Sequence, residues 1–189
     1  MLRPEYPIRT ERLLLRPFTL DDLDDAHAYQ SLPEVVSYLY WNPRTRDEVR
    51  EALVKRTRQD VLNDDSDALV LAVVWLEIGK VIGEVNLNWL SREHRQGETG
   101  FIFHPAYHGK GLAREAAEVM LRLGFHDLGL HRIIGRCDSR NTPSWRLLER
   151  LGMRREAHFV HSEIFKGEWG DEYIYAMLDD EWASLTRPL

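Results

Sequence analysis

The sequence predicts one α/β (α+β) domain over residues 1–189, built on a mostly antiparallel sheet of about seven strands flanked by about four helices. Three observations carry this expectation. Hydrophobic periodicity changes along the chain in the order strand, two helices, three strands, helix, strand, helix, two strands. A length of 189 residues, with 43% hydrophobic and 30% charged residues, suits one domain with a sizeable core. Residues 98–114 read as a strand, a glycine-rich turn and a helix start, and the rest of the chain is arranged around them.

In chain order, residues 11–18 alternate Leu13 and Leu15 against Arg12, Leu14 and Arg16 before Pro17, a first strand near the sheet edge. Thr19 stands three residues ahead of Asp22, a capping-box start for a short helix through Gln30. Thr45 and Glu48 repeat the signature for a longer helix ending near Leu62. Between the two helices, residues 37–43 hold Tyr38, Tyr40 and Trp41, which serve either an acceptor substrate or the packing of the helix pair. After a polar turn at residues 63–67 comes a mostly buried strand, 69–76, and then an alternating one, 81–90. In the second, Val81, Gly83, Val85, Leu87 and Trp89 share a face, while Glu84, Asn86 and Asn88 face solvent or a substrate cleft.

A charged loop leads to strand 99–103, which Pro105 stops; Leu112, Ala116, Val119, Met120 and Leu123 then recur at helical spacing, and that helix ends within 124–129. Residues 131–138 form another strand. Asn141 or Thr142 caps a helix that runs to Leu151 and stops at Gly152, and strands 155–165 and 171–178 close a hairpin around Lys166, Gly167 and Glu168.

Composition narrows the function classes. A net charge of −6 with scattered arginines favours no nonspecific nucleic-acid binding. The single cysteine, Cys137, excludes an internal disulfide and fits a reducing compartment. The start carries early charges and no apolar signal core, and the longest apolar run, residues 68–76, is far short of the ~20 that a membrane helix needs. A cytoplasmic protein that does not enter membranes is expected.

Gly109 and Gly111 feed a helix start, where unpaired N–H groups and the positive end of the helix dipole converge on a phosphate. The spacing matches neither a nucleoside-triphosphate loop nor a dinucleotide turn. His108-Gly109-Lys110-Gly111-Leu112-Ala113 instead resembles the Gln/Arg-x-x-Gly-x-Gly/Ala pyrophosphate loop of the GNAT superfamily of acyl-CoA-dependent N-acyltransferases. The run from Thr10 to Phe18, Asn141-Thr142-Pro143-Ser144, Leu151-Gly152-Met153 and Asp171-Glu172-Tyr173 are similar, in order and spacing, to the ribosomal-protein N-terminal acetyltransferase branch. The resemblance covers nearly the whole chain. It implies a GNAT-type sheet with splayed central strands, acetyl-CoA as co-substrate and no metal. Carbonyl polarisation would come from backbone N–H around Phe101, Ile102 and Phe103, diphosphate binding from residues 108–114 including Arg114, and a pantetheine contact from Asn141.

Moving an acetyl group from a thioester to an amine requires a base for the amine and an acid for the thiolate. Glu98 opens the central strand at a spacing similar to that of the family's general base; Glu163 resembles a base proposed in the ribosomal-protein branch, and Glu84 is a third candidate. The usual tyrosine acid is replaced, since Ser144 and Leu148 follow Asn141; Ser144 is expected to position the cofactor more than to donate a proton. His108 stands where the family carries Gln or Arg, with Lys110 and Arg114 to supplement its charge. His158, His161 and Glu163 suggest a metal, but two histidines three apart on a strand face opposite ways. Cys137 reads as a structural thiol. The expected partner is an amine, carried by a protein N-terminus or by a small molecule such as an aminoglycoside, amino sugar, polyamine or amino-acid analogue. An inactive CoA-binding module is the competing class, and the resemblance adds a homodimer.

Overall fold

A computed structural model describes residues 1–186. Eight strands form one sheet: β1 (Ile8–Arg9), β2 (Leu13–Pro17), β3 (Ala68–Trp75), β4 (Lys80–Ser91), β5 (Gln96–Phe103), β6 (Arg132–Asp138), β7 (Arg154–Phe165) and β8 (Glu168–Leu178), in the spatial order β1-β2-β3-β4-β5-β6-β8-β7. Neighbours pair antiparallel except β5 with β6. That parallel pair is short: Gln96, Gly97 and Glu98 face Arg132, Ile133 and Ile134, and beyond Glu98 the strands diverge. The β6-facing edge of residues 99–103 is thereby left without a strand partner.

Helices cover both faces. On one side lie α1 (Leu23–Gln30), α2 (Pro33–Val36) and α3 (Arg46–Arg56), packing Phe18, Ala26, Tyr29, Val49 and Leu53 on Val70, Ala72 and Val81. On the other lie α4 (Leu112–Arg122) and α5 (Thr142–Arg150), with Leu112, Ala116, Met120 and Leu148 against Leu15, Leu71, Val85, Leu87 and Ile133. The helical spacing read in α4 corresponds to this buried stripe, each large side chain contributing about 1.5–3 kcal/mol of burial. A last helix, α6 (Asp179–Thr186), follows β8.

The described residues thus hold eight strands and six helices, against about seven and four expected. The additions are β1, only two residues long, α2, a single turn opened by Pro33, and α6, whose acidic first turn was its one available signal. Two further expectations are corrected. The helix opened by Thr45 ends at Arg56 instead of near Leu62, because the next residues pair with other segments: the Val70 amide donates to the Gln59 carbonyl, and Leu62 bridges Leu2. Val81 does not share a face with Val85. The β3–β4 register slips so that Val73 and Val74 face Gly83 and Val81, and Ile82, left as a bulge, turns Val81 toward α1 and α3.

Candidate active site

The site begins where β5 ends. Pro105 cannot extend a ladder, and the chain turns through residues 105–111 into α4. Gly109 and Gly111 both hold the left-handed conformation, at φ of 76° and 78°. A Cβ at Gly109 would touch nothing within 4 Å, so backbone conformation and not crowding selects glycine there.

The amide of His108 is used, donating to the Pro105 carbonyl at 3.0 Å; the first α4 bond closes from Glu115 to Gly111 at 3.1 Å. Between them, the amides of residues 109–114 have no acceptor among the described residues. The run of unpaired amides therefore starts at Gly109, one residue later than the 108–114 expected for the diphosphate. The His108 ring turns inward, its Nε2 lying 3.2 Å from the Phe103 carbonyl, so it fastens the end of β5. Lys110 also departs from expectation. Its ammonium sits over the Trp75 ring, 5.7 Å from the centroid, and only its carbonyl serves the turn, accepting from Arg12 Nη1 at 2.8 Å.

Arg12 belongs to a clamp across the sheet. Glu115, in the first turn of α4, accepts from Thr10 Oγ1 at 2.6 Å, the Arg12 amide at 2.8 Å and Arg12 Nε at 2.7 Å. These bonds, with the Arg12 guanidinium, hold the Glu115 carboxyl below its ordinary range even though burial opposes ionisation.

In front of these amides a cavity of about 480 Å³ runs into the divergence of β5 and β6, lined by Tyr38, Phe101, Ile102, Phe103, His108, Gly109, Gly111, Leu112, Ala113, Arg114, Asn141 and Ser144, among others. Asn141 Oδ1 caps α5 by accepting from the Ser144 amide at 3.3 Å. Burial pushes the Cys137 thiol up to about 11 against the pull of the neighbouring Ser144 hydroxyl, which suits a structural thiol and not a nucleophile.

A second group of side chains gathers on the α1–α3 face, where β5, β6 and β8 meet the hairpin β7–β8. Arg136 forks onto Glu98, Nε to Oε1 at 3.2 Å and Nη2 to Oε2 at 3.1 Å. Tyr40, on the loop after α2, donates to Glu163 at 2.6 Å, which raises the phenol to about 12, and Lys166 ties the same loop to the hairpin through the carbonyls of Val36 and Trp41. Glu172 completes the group. Desolvation first, then Glu163 and Glu98, raise its pKa against the pull of Arg136, and it has no hydrogen-bond or ion-pair partner among the described residues. Glu172 was not among the candidate bases; its signal was the alternation of β8, which puts it on the Glu98–Arg136 face.

Two expected substrate residues lie elsewhere. Glu84 is 3% exposed and faces the helices, its carboxylate held by Arg56 Nη2 at 2.7 Å and by the Tyr29 hydroxyl at 3.2 Å. Trp41 turns its ring toward a separate cavity beside α3. His158 and His161 are joined by Asp171, which accepts from the His161 amide at 2.9 Å and lies 2.8 Å from His158 Nε2.

The site thus combines a parallel pair that opens, a run of unpaired helix-start amides beside it and a carboxylate group across the sheet. The family model described as "Acetyltransferase (GNAT) domain" matches residues 12–154, and the chain belongs to this family of N-acetyltransferases. The uncharacterized N-acetyltransferase YnaD of Bacillus subtilis strain 168 is 35% identical, over 93% of this chain and 98% of that one. The crystal structure of a GNAT-family acetyltransferase from Bacillus anthracis superposes with a TM-score of 0.82 at 35% identity, covering 92% of this chain and 98% of the other. Spermidine N-acetyltransferase from Vibrio cholerae, crystallised with CoA and spermine, superposes at 0.76 with 25% identity, covering 92% and 99%. The chain is accordingly an acyltransferase. Among the described residues no helix is long and apolar enough to cross a membrane.

Proposed function

We propose that the chain is a cytoplasmic acetyl-CoA-dependent N-acetyltransferase that acts on a primary amine carried by a cationic acceptor, by direct transfer in a ternary complex. The observation that carries this reading is the meeting of two features at one opening of the sheet: free amides at residues 109–114 on the α4 side and the carboxylates Glu98, Glu163 and Glu172 on the other. Acetyl-CoA supplies an activated acetyl thioester. Amides 109–114 hold its diphosphate, Asn141 and Ser144 border its pantetheine arm, and the unpaired edge of residues 101–103 offers N–H groups to the acetyl oxygen.

The acceptor enters between the loop at residues 37–43 and the hairpin β7–β8. Glu163 and Glu98 draw its charge in, and Glu172 takes its proton, because Glu98 and Glu163 are already engaged by Arg136 and Tyr40. Tyr38 walls the cofactor side. Among the described residues no side chain stands as an obvious acid for the departing thiolate, which needs little assistance to leave.

A protein N-terminus of the ribosomal-protein kind and a small polyamine-like cation both meet these requirements; the spermidine-acetylating relative gives the second specific support. Calorimetric titration with acetyl-CoA, then thiol release against N-terminal peptides, polyamines, aminoglycosides and amino sugars, tests the reading. Gly111→Trp, which fills the cradle, is expected to lose acetyl-CoA binding with an unchanged circular-dichroism spectrum; undiminished binding would refute the placement. Binding of acetyl-CoA with no thiol release on any amine would favour a CoA-binding module without activity.

A further inference from the structure

A second cavity of about 510 Å³ lies beside α3, apart from the splay, and is lined by Trp41, Arg44, Lys55, Arg56 and Gln59, with Glu48 and Glu51 also on its wall. Its charges are not evenly matched in contact. Arg56 is committed to the buried Glu84, and the other oxygen of Glu84 accepts from Tyr29, so this carboxylate has no oxygen left over. Glu48 is turned back onto its own helix start, accepting from the Thr45 amide at 2.7 Å and the Thr45 hydroxyl at 2.9 Å.

Arg44 is the unmet group. Its guanidinium stacks on Trp41, 4.0 Å from the centroid, and gives one hydrogen bond, Nη1 to Gln30 Oε1 at 2.7 Å; no carboxylate lies within 4.0 Å of it among the described residues. Desolvation first and then the neighbouring Arg56 lower its pKa, against the pull of the more distant Glu84 and Glu48. Lys55 likewise has no ion-pair partner among the described residues and stands on the same wall. A planar guanidinium held flat by an aromatic ring, with one side-chain hydrogen bond to protein among the described residues, keeps N–H donors for an oxyanion.

We infer that this cavity is a binding site for a small oxyanion, a carboxylate or a phosphate, held by Arg44 with Arg56 and Lys55 at its sides. The occupant also braces the acceptor loop, because Trp41 and Arg44 continue the chain from Tyr40, which bonds Glu163 at the acceptor mouth. The inference is independent of the acetyl-transfer reading, since none of these side chains lines the splayed cavity.

The test is thermal unfolding and calorimetry of the full chain with sodium phosphate, sodium citrate and, at matched ionic strength, sodium chloride. A saturating occupant should raise the midpoint of the parent by about 2–4 °C or more. Phosphate also fits the amides at residues 109–114, so the diagnostic is the difference from Arg44→Gln, which should lose the share of the rise that comes from this cavity while still binding acetyl-CoA. Lys55→Ala, an exposed change with no folding penalty, should weaken the anion about threefold. A rise with phosphate alone assigns a phosphate ligand, and one with citrate alone a carboxylate. An equal rise in chloride, or full retention in both variants, overturns the inference.

Discussion

Arg12→Ala isolates the clamp that holds the turn into α4, the proposed diphosphate cradle. The substitution removes the fork onto Glu115 and the 2.8 Å bond to the Lys110 carbonyl, while Thr10 and the residue-12 amide still bond Glu115. The pair is partly exposed, 41% for the Arg12 side chain and 15% for Glu115, so the loss in stability is held to about 1–2 kcal/mol, or roughly 2–8 °C for a chain of this size. Binding is affected by a different route. Glu115 becomes an uncompensated anion in the first turn of α4, and at an effective dielectric of about 20 a charge at a separation on the order of 8 Å from the diphosphate proposed to bind at residues 109–114 costs about 2 kcal/mol per ligand charge before salt screening. KM for acetyl-CoA should rise roughly 10- to 30-fold with kcat within about twofold. Arg12→Ala combined with Glu115→Gln deletes the stray charge and should recover most of the KM, though not the stability. Steady-state thiol release over a range of acetyl-CoA concentrations reads both quantities. If the double variant binds as poorly as Arg12→Ala, or if Arg12→Ala leaves KM unchanged, the electrostatic account is wrong.

Glu172→Gln should lower kcat at least 10²-fold on any accepted amine while leaving acetyl-CoA affinity intact, as measured by calorimetry beside turnover. Its stability effect has a definite sign. The folded-state pKa of Glu172 is raised, so the parent's advantage from the protonated acid is full below the ordinary carboxylate range and is lost as pH rises through the shifted value; the glutamine variant should unfold at a higher temperature than the parent at pH 8 and show no gain near pH 4. Glu84→Gln leaves Arg56 without its carboxylate, and chemical denaturation should report a loss of roughly 2–4 kcal/mol, under the fully buried range because Arg56 keeps 26% exposure, with KM for acetyl-CoA unchanged. Tyr40→Phe removes the bond to Glu163 and should raise the acceptor KM about 5-fold with little change in midpoint; an unchanged acceptor KM would remove the loop from the acceptor site.

The order of strands and helices and the helix-start turn at residues 109–114 were legible because each depends on short-range signals. Glycine where φ is positive, proline where a ladder must stop, and a 3.6-residue stripe under α4 are written within a few positions of where they act. The two-residue β1 and one-turn α2 fall below the length at which periodicity can be read, and the early end of α3 follows from long-range pairing of Gln59 and Leu62.

The polar residues divide along the same line. Spacing and resemblance put Glu98 first, Glu163 second and Glu84 third as candidate bases, and Glu172 passed unnoticed within a motif. By itself the sequence determined the class of chemistry, because a turn that frees backbone amides needs only local instructions. Which carboxylate is free to accept a proton was decided only by the fold. Arg56 and Tyr29 reach Glu84, Arg136 reaches Glu98 and Tyr40 reaches Glu163 across separations of 28 to 123 residues, whereas Glu172 is left with a desolvated charge. The physical reason is that proton affinity depends on solvent exclusion and on charges within a few ångströms, and both come from parts of the chain that only the assembled sheet brings together.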